Sequence, residues 1–306
     1  PGNVIWPETF VDRAREALAG LPNVSIEVLD ERAMERLGMG SILAVGQGSP
    51  RPPRMLVMRY DGGSAGEAPL AFVGKGITFD TGGISIKGSS GMWQMKYDMA
   101  GAAVVAGAIK ALAGRRAPVN VVAVAALAEN MPSGTASRPG DVIRTASGKT
   151  YEIMSTDAEG RMVLCDALAF AAEAEPDLIL DFATLTGAAR VALGPDLPAL
   201  FANDDSVATA WIAAGERQRD PVWRMPLWRP YLRYLDSQIA DVANAGSRMA
   251  GAVTAALYLE KFIPDGQRWA HLDVYAWNDT DRPGRPRGGE ALALRSAFEM
   301  LRARYG

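Results

Sequence analysis

Apolar side chains recur at helical spacing between residues 7 and 18, where Phe10, Val11, Ala14, Ala17 and Leu18 share one face, so the chain is expected to open on an amphipathic helix. Pro7 suits its first turn. A short strand over 25–29, a helix over 31–37 and a glycine-rich passage over 38–48 follow. Residues 54–60 and 70–73 read as two strands joined by a Gly/Ser-rich turn at 61–66.

Downstream, the alanine-rich stretch 99–112 predicts a buried helix and 119–127 a nearly continuous apolar strand. After a Pro/Gly loop over 130–140 come a short hairpin around 142–152, a helix over 159–172 and a buried strand over 178–182. Helices near 207–217 and 253–262, a strand at 269–274 and a final helix at 290–304 complete the pattern. Buried strands alternating with long helices argue for an α/β fold: a mixed, largely parallel sheet covered by helices on both faces, a three-layer αβα arrangement. No internal repeat or linker interrupts the 306 residues, so one domain spanning 1–306 is expected, with residues 1–50 as a lead-in helix and strand segment.

With 48% hydrophobic and 22% charged residues, the chain carries enough apolar surface to bury a core. A formal net charge of −3 lacks the electrostatic footprint of a nucleic-acid binder. The single cysteine, Cys165, has no internal partner and fits a reducing compartment, and no apolar run reaches eighteen residues; a cytoplasmic protein with no membrane association is expected. There is also one histidine, His271, so any metal site here must rest mainly on oxygen ligands.

Two segments set charge inside apolar and glycine-rich surroundings, where unpaired charge is costly. One runs from Val73 through Lys75 and Asp80 to Lys87, followed by Asp98 at the mouth of the alanine-rich helix; the other is Ser155-Thr-Asp-Ala-Glu-Gly-Arg161. Lys75 and Asp80 fall at the C-terminal end of a predicted strand, where open α/β sheets bind ligands. Asp157, Glu159 and Arg161 alternate, so an extended backbone would turn all three to one side. Asp80, Asp98, Asp157 and Glu159 are together able to hold two divalent cations, a pair that activates water and polarises a carbonyl. By themselves, Asp157 and Glu159 fit capping of the helix that follows equally well. The Gly74-Lys-Gly76 run is not a phosphate loop, because the hydroxyl residue after the lysine and the earlier glycine are both missing.

Taken together, Lys75, Asp80, Lys87, Asp98 and the Asp157-Ala-Glu-Gly-Arg161 run resemble the two signatures of the leucyl aminopeptidase (cytosol aminopeptidase) family, metal-dependent exopeptidases. The stretches 37–49, 129–134, 138–142, 183–187 and 271–273 are similar to family segments, in family order. The resemblance implies a metallo-aminopeptidase, a hydrolase that cleaves the N-terminal peptide bond of peptides with a free N-terminus. It further implies that Lys75, Asp98, Asp80 and Glu159 hold one metal, and that Asp157 holds the second with Asp80 and Glu159 shared. The ions would be zinc or manganese, with magnesium or cobalt as alternatives. Lys87 would polarise the scissile carbonyl, Arg161 would hold a bicarbonate ion acting as general base, and Met95, Thr184 and Gly187 would line the pocket for the first side chain. The free α-amine of the substrate would reach a metal and Asp98, which an internal peptide bond cannot do. The resemblance also implies a homo-hexamer. The separate N-terminal domain usual in the family is absent from these residues.

The stretch 273–289 departs from the usual family pattern, so leucine preference does not carry over. His271 and Cys165 read as core residues. Trp223, Trp228 and Tyr231, interleaved with Arg224, Arg229 and Arg233, read as a subunit contact or core edge, and Arg282, Arg285 and Arg287 as a solvated loop. Two alternatives stay open: another two-metal amide hydrolase on the same scaffold, and an added nucleic-acid-binding regulatory role, against which the balanced charge weighs.

Overall fold

The computed structural model describes residues 1–305. In chain order its strands include β1 (Val24–Leu29), β2 (Arg54–Asp61), β3 (Leu70–Asp80), β4 (Asn120–Asn130), β5 (Val142–Arg144), β6 (Thr150–Glu152) and β7 (Leu178–Ala183). These are followed by β8 (Ala199–Ala202), β9 (Trp223–Arg224), β10 (Val242–Ala243) and β11 (Trp269–Asp273). The helices are α1 (Pro7–Leu18), α2 (Glu31–Arg36), α3 (Gly40–Gly46), α4 (Ala100–Arg115), α5 (Glu159–Ala172), α6 (Gly187–Leu193), α7 (Asp205–Gln218), α8 (Gly251–Glu260) and α9 (Leu294–Tyr305).

Eight strands form one sheet in the order β1-β2-β4-β3-β7-β11-β8-β9. Its centre, β4-β3-β7-β11, is parallel, while β1 and β2 at one end and β8 against β11 at the other run antiparallel. Side-chain alternation along the central strands separates two cores. On β4, Val122, Val124, Ala126 and Ala128 join the core under α3, α5 and α8, whereas Val121, Ala123, Ala125 and Leu127 join the one under α1, α4, α7 and α9. The expected mixed sheet with helices on both faces is therefore the observed architecture.

The differences from the sequence pattern lie where long-range partners decide. The strands expected over 54–60 and 70–73 are not neighbours, because β4 inserts between them and supplies ladders to both. The passage over 38–48 contains α3, whose first turn has its Ser41 and Ile42 N–H groups bonded to the carboxylate of Asp166 on α5, at 2.9 and 3.0 Å. A cap borrowed from 125 residues away leaves no local signature. The last helix begins at Leu294, four residues after the expected start.

Helix α4 meets the sheet through glycine. A Cβ on Gly101 would lie 1.9 Å from the Phe182 carbonyl oxygen and 2.8 Å from the Lys75 nitrogen, and one on Gly74 would lie 2.5 Å from the Gly101 oxygen. Backbone rests on backbone here, and the contact fixes where Asp98, just before α4, stands relative to β3 and β7. Gly101→Ala is expected to force α4 off the sheet and lower stability by about 3 kcal/mol, the upper range for overpacking a tight contact; urea unfolding would read this as a lower midpoint with an unchanged slope.

Candidate active site

Strand β3 carries both Lys75 and Asp80, five residues apart, which in a regular strand would face opposite sides of the sheet. The pairing of β3 with β4 shifts register between Ile77 and Phe79. That irregularity adds one residue to β3 and changes the phase of its alternation. Lys75 and Asp80 consequently line the same cavity of about 290 Å³ beyond the C-terminal ends of the parallel strands.

Asp98 enters from the turn before α4, and Asp157 and Glu159 from the start of α5. The expectation of an extended run at 157–161 is corrected: Glu159 is the first residue of α5, so Asp157 and Glu159 converge through a loop-to-helix junction. The N-cap residue is Ala158, which makes no side-chain cap bond, and Glu159 stands in the first turn, so neither acid is the hydrogen-bonding cap. Ligand atoms of Asp80, Asp157 and Glu159 lie within 4.8 Å of one another.

Two ammonium groups hold this cluster together. Lys75 Nζ donates to Asp98 Oδ1 at 2.8 Å and to the Thr184 carbonyl at 2.9 Å, and lies 2.8 Å from Glu159 Oε1. Lys87 Nζ lies 2.7 Å from Asp80 Oδ2 and also contacts Asp157. Burial lowers the Lys75 pKa, but the carboxylates of Asp98, Glu159 and Asp80 outweigh it and the net direction is upward. Lys87 follows the same logic, with Asp80 the leading opposing charge. Burial pushes the Asp98 carboxyl well above the usual range; Lys75 partly opposes this, while the neighbouring charges of Glu159 and Asp80 add to it. Asp80 and Asp157 are raised by burial first, then by Glu159 in one case and Asp80 in the other.

Four carboxylates thus face two ammonium groups. The surplus of negative charge is matched by two orphaned acceptors, Asp98 Oδ2 and Glu159 Oε2, both buried and without a hydrogen-bond partner. A buried acceptor without a donor is costly. Hard divalent cations suit such oxygen donors, so the residues present fit metal ions. Two roomier clefts, of about 630 and 510 Å³, bring no comparable set of carboxylates together.

The cradle around Lys75 is steric as well as electrostatic, because a Cβ on Gly160 would sit 2.7 Å from Lys75 Nζ. Asn130 Nδ2 donates to Asp80 Oδ1 at 2.8 Å and to the Thr156 carbonyl at 3.0 Å, fixing the rotamer of Asp80. Thr184 Oγ1 donates to Asp98 Oδ1 at 2.6 Å.

Met95, Thr184 and Gly187 line the same cavity. Arg161 is not among the residues lining it: it is buried on α5, donates from Nη1 to the Asn244 carbonyl at 2.7 Å and lies 5.9 Å over the Tyr258 ring. Burial lowers its pKa from the usual guanidinium value. Cys165 is buried, its thiol pushed up by burial, and His271 is buried between the Trp269 and Phe201 rings with Nδ1 2.5 Å from Asp181 Oδ1.

Residues 1–297 match the catalytic domain of the cytosol aminopeptidase family. The chain belongs to this family. It is 49% identical over 303 residues to a probable cytosol aminopeptidase of Syntrophotalea carbinolica, covering 98% of this chain and 61% of that protein. The crystal structure of the cytosol aminopeptidase of Coxiella burnetii superposes with a TM-score of 0.96 at 44% identity, covering 100% of this chain and 66% of that one. The bottromycin maturation enzyme BotP in complex with Mn is similar at a TM-score of 0.93 and 41% identity, covering 99% and 67%. The chain therefore spans about three-fifths of the length of such cytosol aminopeptidase relatives.

Sequence reasoning gave no individual role to Asn130, Tyr97, Arg190, Asp273 or Tyr275, the last two entering only within the 273–289 stretch that bears on side-chain preference. Of these, Tyr97, Arg190 and Tyr275 line the cavity. Buried Asp273, at the end of β11, accepts from the Leu185 and Thr186 nitrogens at 3.0 and 3.1 Å and from Thr186 Oγ1 at 2.6 Å. The regular strand pattern up to Leu272 hid it, since a carboxylate that gathers backbone donors has no short-range motif. Asp273→Ala leaves the Leu185 and Thr186 donors without their acceptor and is expected to destabilise the protein by about 3 kcal/mol, more than one charged hydrogen bond's worth. Amide hydrogen exchange would show protection falling first at Leu185 and Thr186.

Proposed function

We propose that the chain is the catalytic unit, over residues 1–306, of a metallo-aminopeptidase that releases the first residue of peptides with a free N-terminus. The observation that carries this is the gathering of buried Asp80, Asp98 and Glu159 with exposed Asp157 around Lys75 and Lys87, with Asp98 Oδ2 and Glu159 Oε2 lacking any protein partner. The family membership and the manganese named for BotP support the same reading.

In this reading Lys75, Asp80, Asp98 and Glu159 hold one divalent ion and Asp80, Asp157 and Glu159 the other, zinc or manganese being the leading choices and magnesium or cobalt alternatives. When bound, the pair supplies Lewis-acid polarisation and lowers the pKa of water. Lys75 ligates only as a neutral amine, so it gives up its proton on binding, and its ion pairs with Asp98 and Glu159 are replaced. Lys87 keeps its charge and stabilises the oxyanion that develops on the scissile carbonyl. Asp98, on the pocket wall, accepts from the substrate's α-ammonium, which restricts cleavage to the chain end. Arg161 has guanidinium N–H groups beyond the one given to Asn244, and these suit a small oxyanion such as bicarbonate, which would serve as the general base of this reading. Met95, Thr184 and Gly187 receive the first side chain.

We assign the cytoplasm as its compartment, in line with the relatives' names, and no described helix is long and apolar enough to cross a membrane. Assembly with copies of itself, a hexamer by family likeness, is supported by the exposed Trp223, Trp228, Ile239 and Met249.

With manganese or zinc, unblocked dipeptides are expected to release a free amino acid while N-acetylated ones do not; equal rates on both would defeat the exopeptidase reading. Glu159→Gln, which removes a shared carboxylate, should lower manganese affinity at least tenfold and abolish turnover. Because Lys75 must lose a proton, manganese affinity in the parent protein should rise with pH, with proton release visible as buffer-dependent heat in calorimetry.

A further inference from the structure

The cavity has a second electrostatic pole, distinct from the carboxylate cluster. Arg190 lies on α6 one helical turn beyond Gly187, so the two share a face, and both line the cavity. Lys75 and Lys87, the other cations lining the cavity, are each held by two carboxylates. Arg190 has no carboxylate within 4.0 Å among the described residues and is exposed. Its guanidinium instead lies 4.9 Å over the ring of Tyr275. The hydroxyl of that tyrosine is engaged with Asp279 Oδ1 at 3.2 Å.

A guanidinium held over an aromatic ring is oriented without being neutralised, and its planar set of N–H donors exceeds what one tyrosine can take, leaving donors for a planar oxyanion. Tyr275 is braced in turn by the Tyr97 ring, edge to face at 5.6 Å. The support of α6 is equally firm: its N-cap residue, Thr186, donates its hydroxyl to Asp273 while accepting from the Ala189 nitrogen. The cation is therefore displayed from fixed elements, on the side of the cavity that also presents Thr184 and Gly187.

We infer that Arg190, held over Tyr275, is a specificity-determining residue that selects peptides whose first residue carries a side-chain carboxylate. The inference rests on the aminopeptidase reading, since that reading puts the first side chain beside Thr184 and Gly187. An acidic first residue adds a side-chain carboxylate to the α-amine that the site receives in that reading, and Arg190 offers this carboxylate a cationic partner. Leucine at that position leaves the guanidinium without a partner.

The test compares glutamyl and glutaminyl p-nitroanilides, which match in shape, differ in charge and lack a C-terminal carboxylate. In the manganese-loaded protein, kcat/KM is expected to favour the glutamyl substrate about fivefold at low salt, the upper range for an ion pair open to solvent. That preference should shrink in 1 M salt, where screening is nearly complete. Arg190→Gln should bring the ratio to one, and Arg190→Glu should turn it in favour of lysyl over glutamyl anilide. Because each ratio is taken within one protein, a general loss of activity cancels. Turnover of leucyl and glutaminyl anilides with a glutamyl ratio of one in the parent protein overturns the inference and leaves the aminopeptidase reading standing. No turnover of any anilide or unblocked dipeptide defeats that reading and the inference with it. If Arg190→Gln instead changes the ratio of leucyl-glycine to leucyl-glycinamide, the cation reads the peptide's C-terminus and the assignment is overturned.

Discussion

Concentrating four carboxylates at the end of a buried parallel sheet is the constraint around which this molecule is organised. In a medium of low polarity, neighbouring carboxylates repel one another strongly, and the buried Asp80, Asp98 and Glu159 lose the water that would stabilise their charge. Lys75 and Lys87 offset part of that cost by sitting between pairs of acids. They leave two acceptor oxygens unpartnered, on Asp98 and Glu159. A protein that retains this arrangement sacrifices stability for a strong attraction toward multivalent cations, and the rest of the fold reads as the scaffolding needed to keep the acids from moving apart.

That scaffolding works by steric closeness more than by flexible side chains. Backbone contact between Gly101 and the neighbouring strands fixes the approach of α4, and the lack of a side chain on Gly160 admits the Lys75 amine. Hydrogen bonds complete the enclosure: Asn130 orients Asp80, Thr184 orients Asp98, and Asp166 fastens α3 to α5 on the opposite face of the sheet. Two cores, one on each side of β4, stiffen the strands from which the site projects.

The layered α/β class and most long elements were legible because they rest on local periodicity: α1 spans Pro7–Leu18 and α5 spans Glu159–Ala172, where the apolar spacing put them. Sheet order was not legible, since the insertion of β4 between β2 and β3 depends on pairing at a distance. In the site, Lys75, Asp80, Lys87, Asp98, Asp157 and Glu159 were visible as charges misplaced in apolar sequence, and the structure gathers them in one cavity. How Asp80 reaches that cavity was hidden, because the irregularity near Thr78 arises from a mismatch with β4 that no feature of β3 announces. The local backbone at Asp157 to Arg161 was likewise hidden: alternation suggested an extended run, whereas the chain turns there from loop into α5 at Glu159. Arg190 and Tyr275 were overlooked because each looks like an ordinary surface residue until the two are seen together.

The two poles of the cavity hang from different parts of the chain. The acids come from β3 and from the approaches to α4 and α5, whereas the opposite wall is built on α6 and on the segment leaving β11, with Asp273 joining them. Substitution on α6 or past Asp273 can thus retune which residue the pocket accepts while the cation-attracting machinery stays untouched, so diversification of diet in such a scaffold needs no renegotiation of its chemistry.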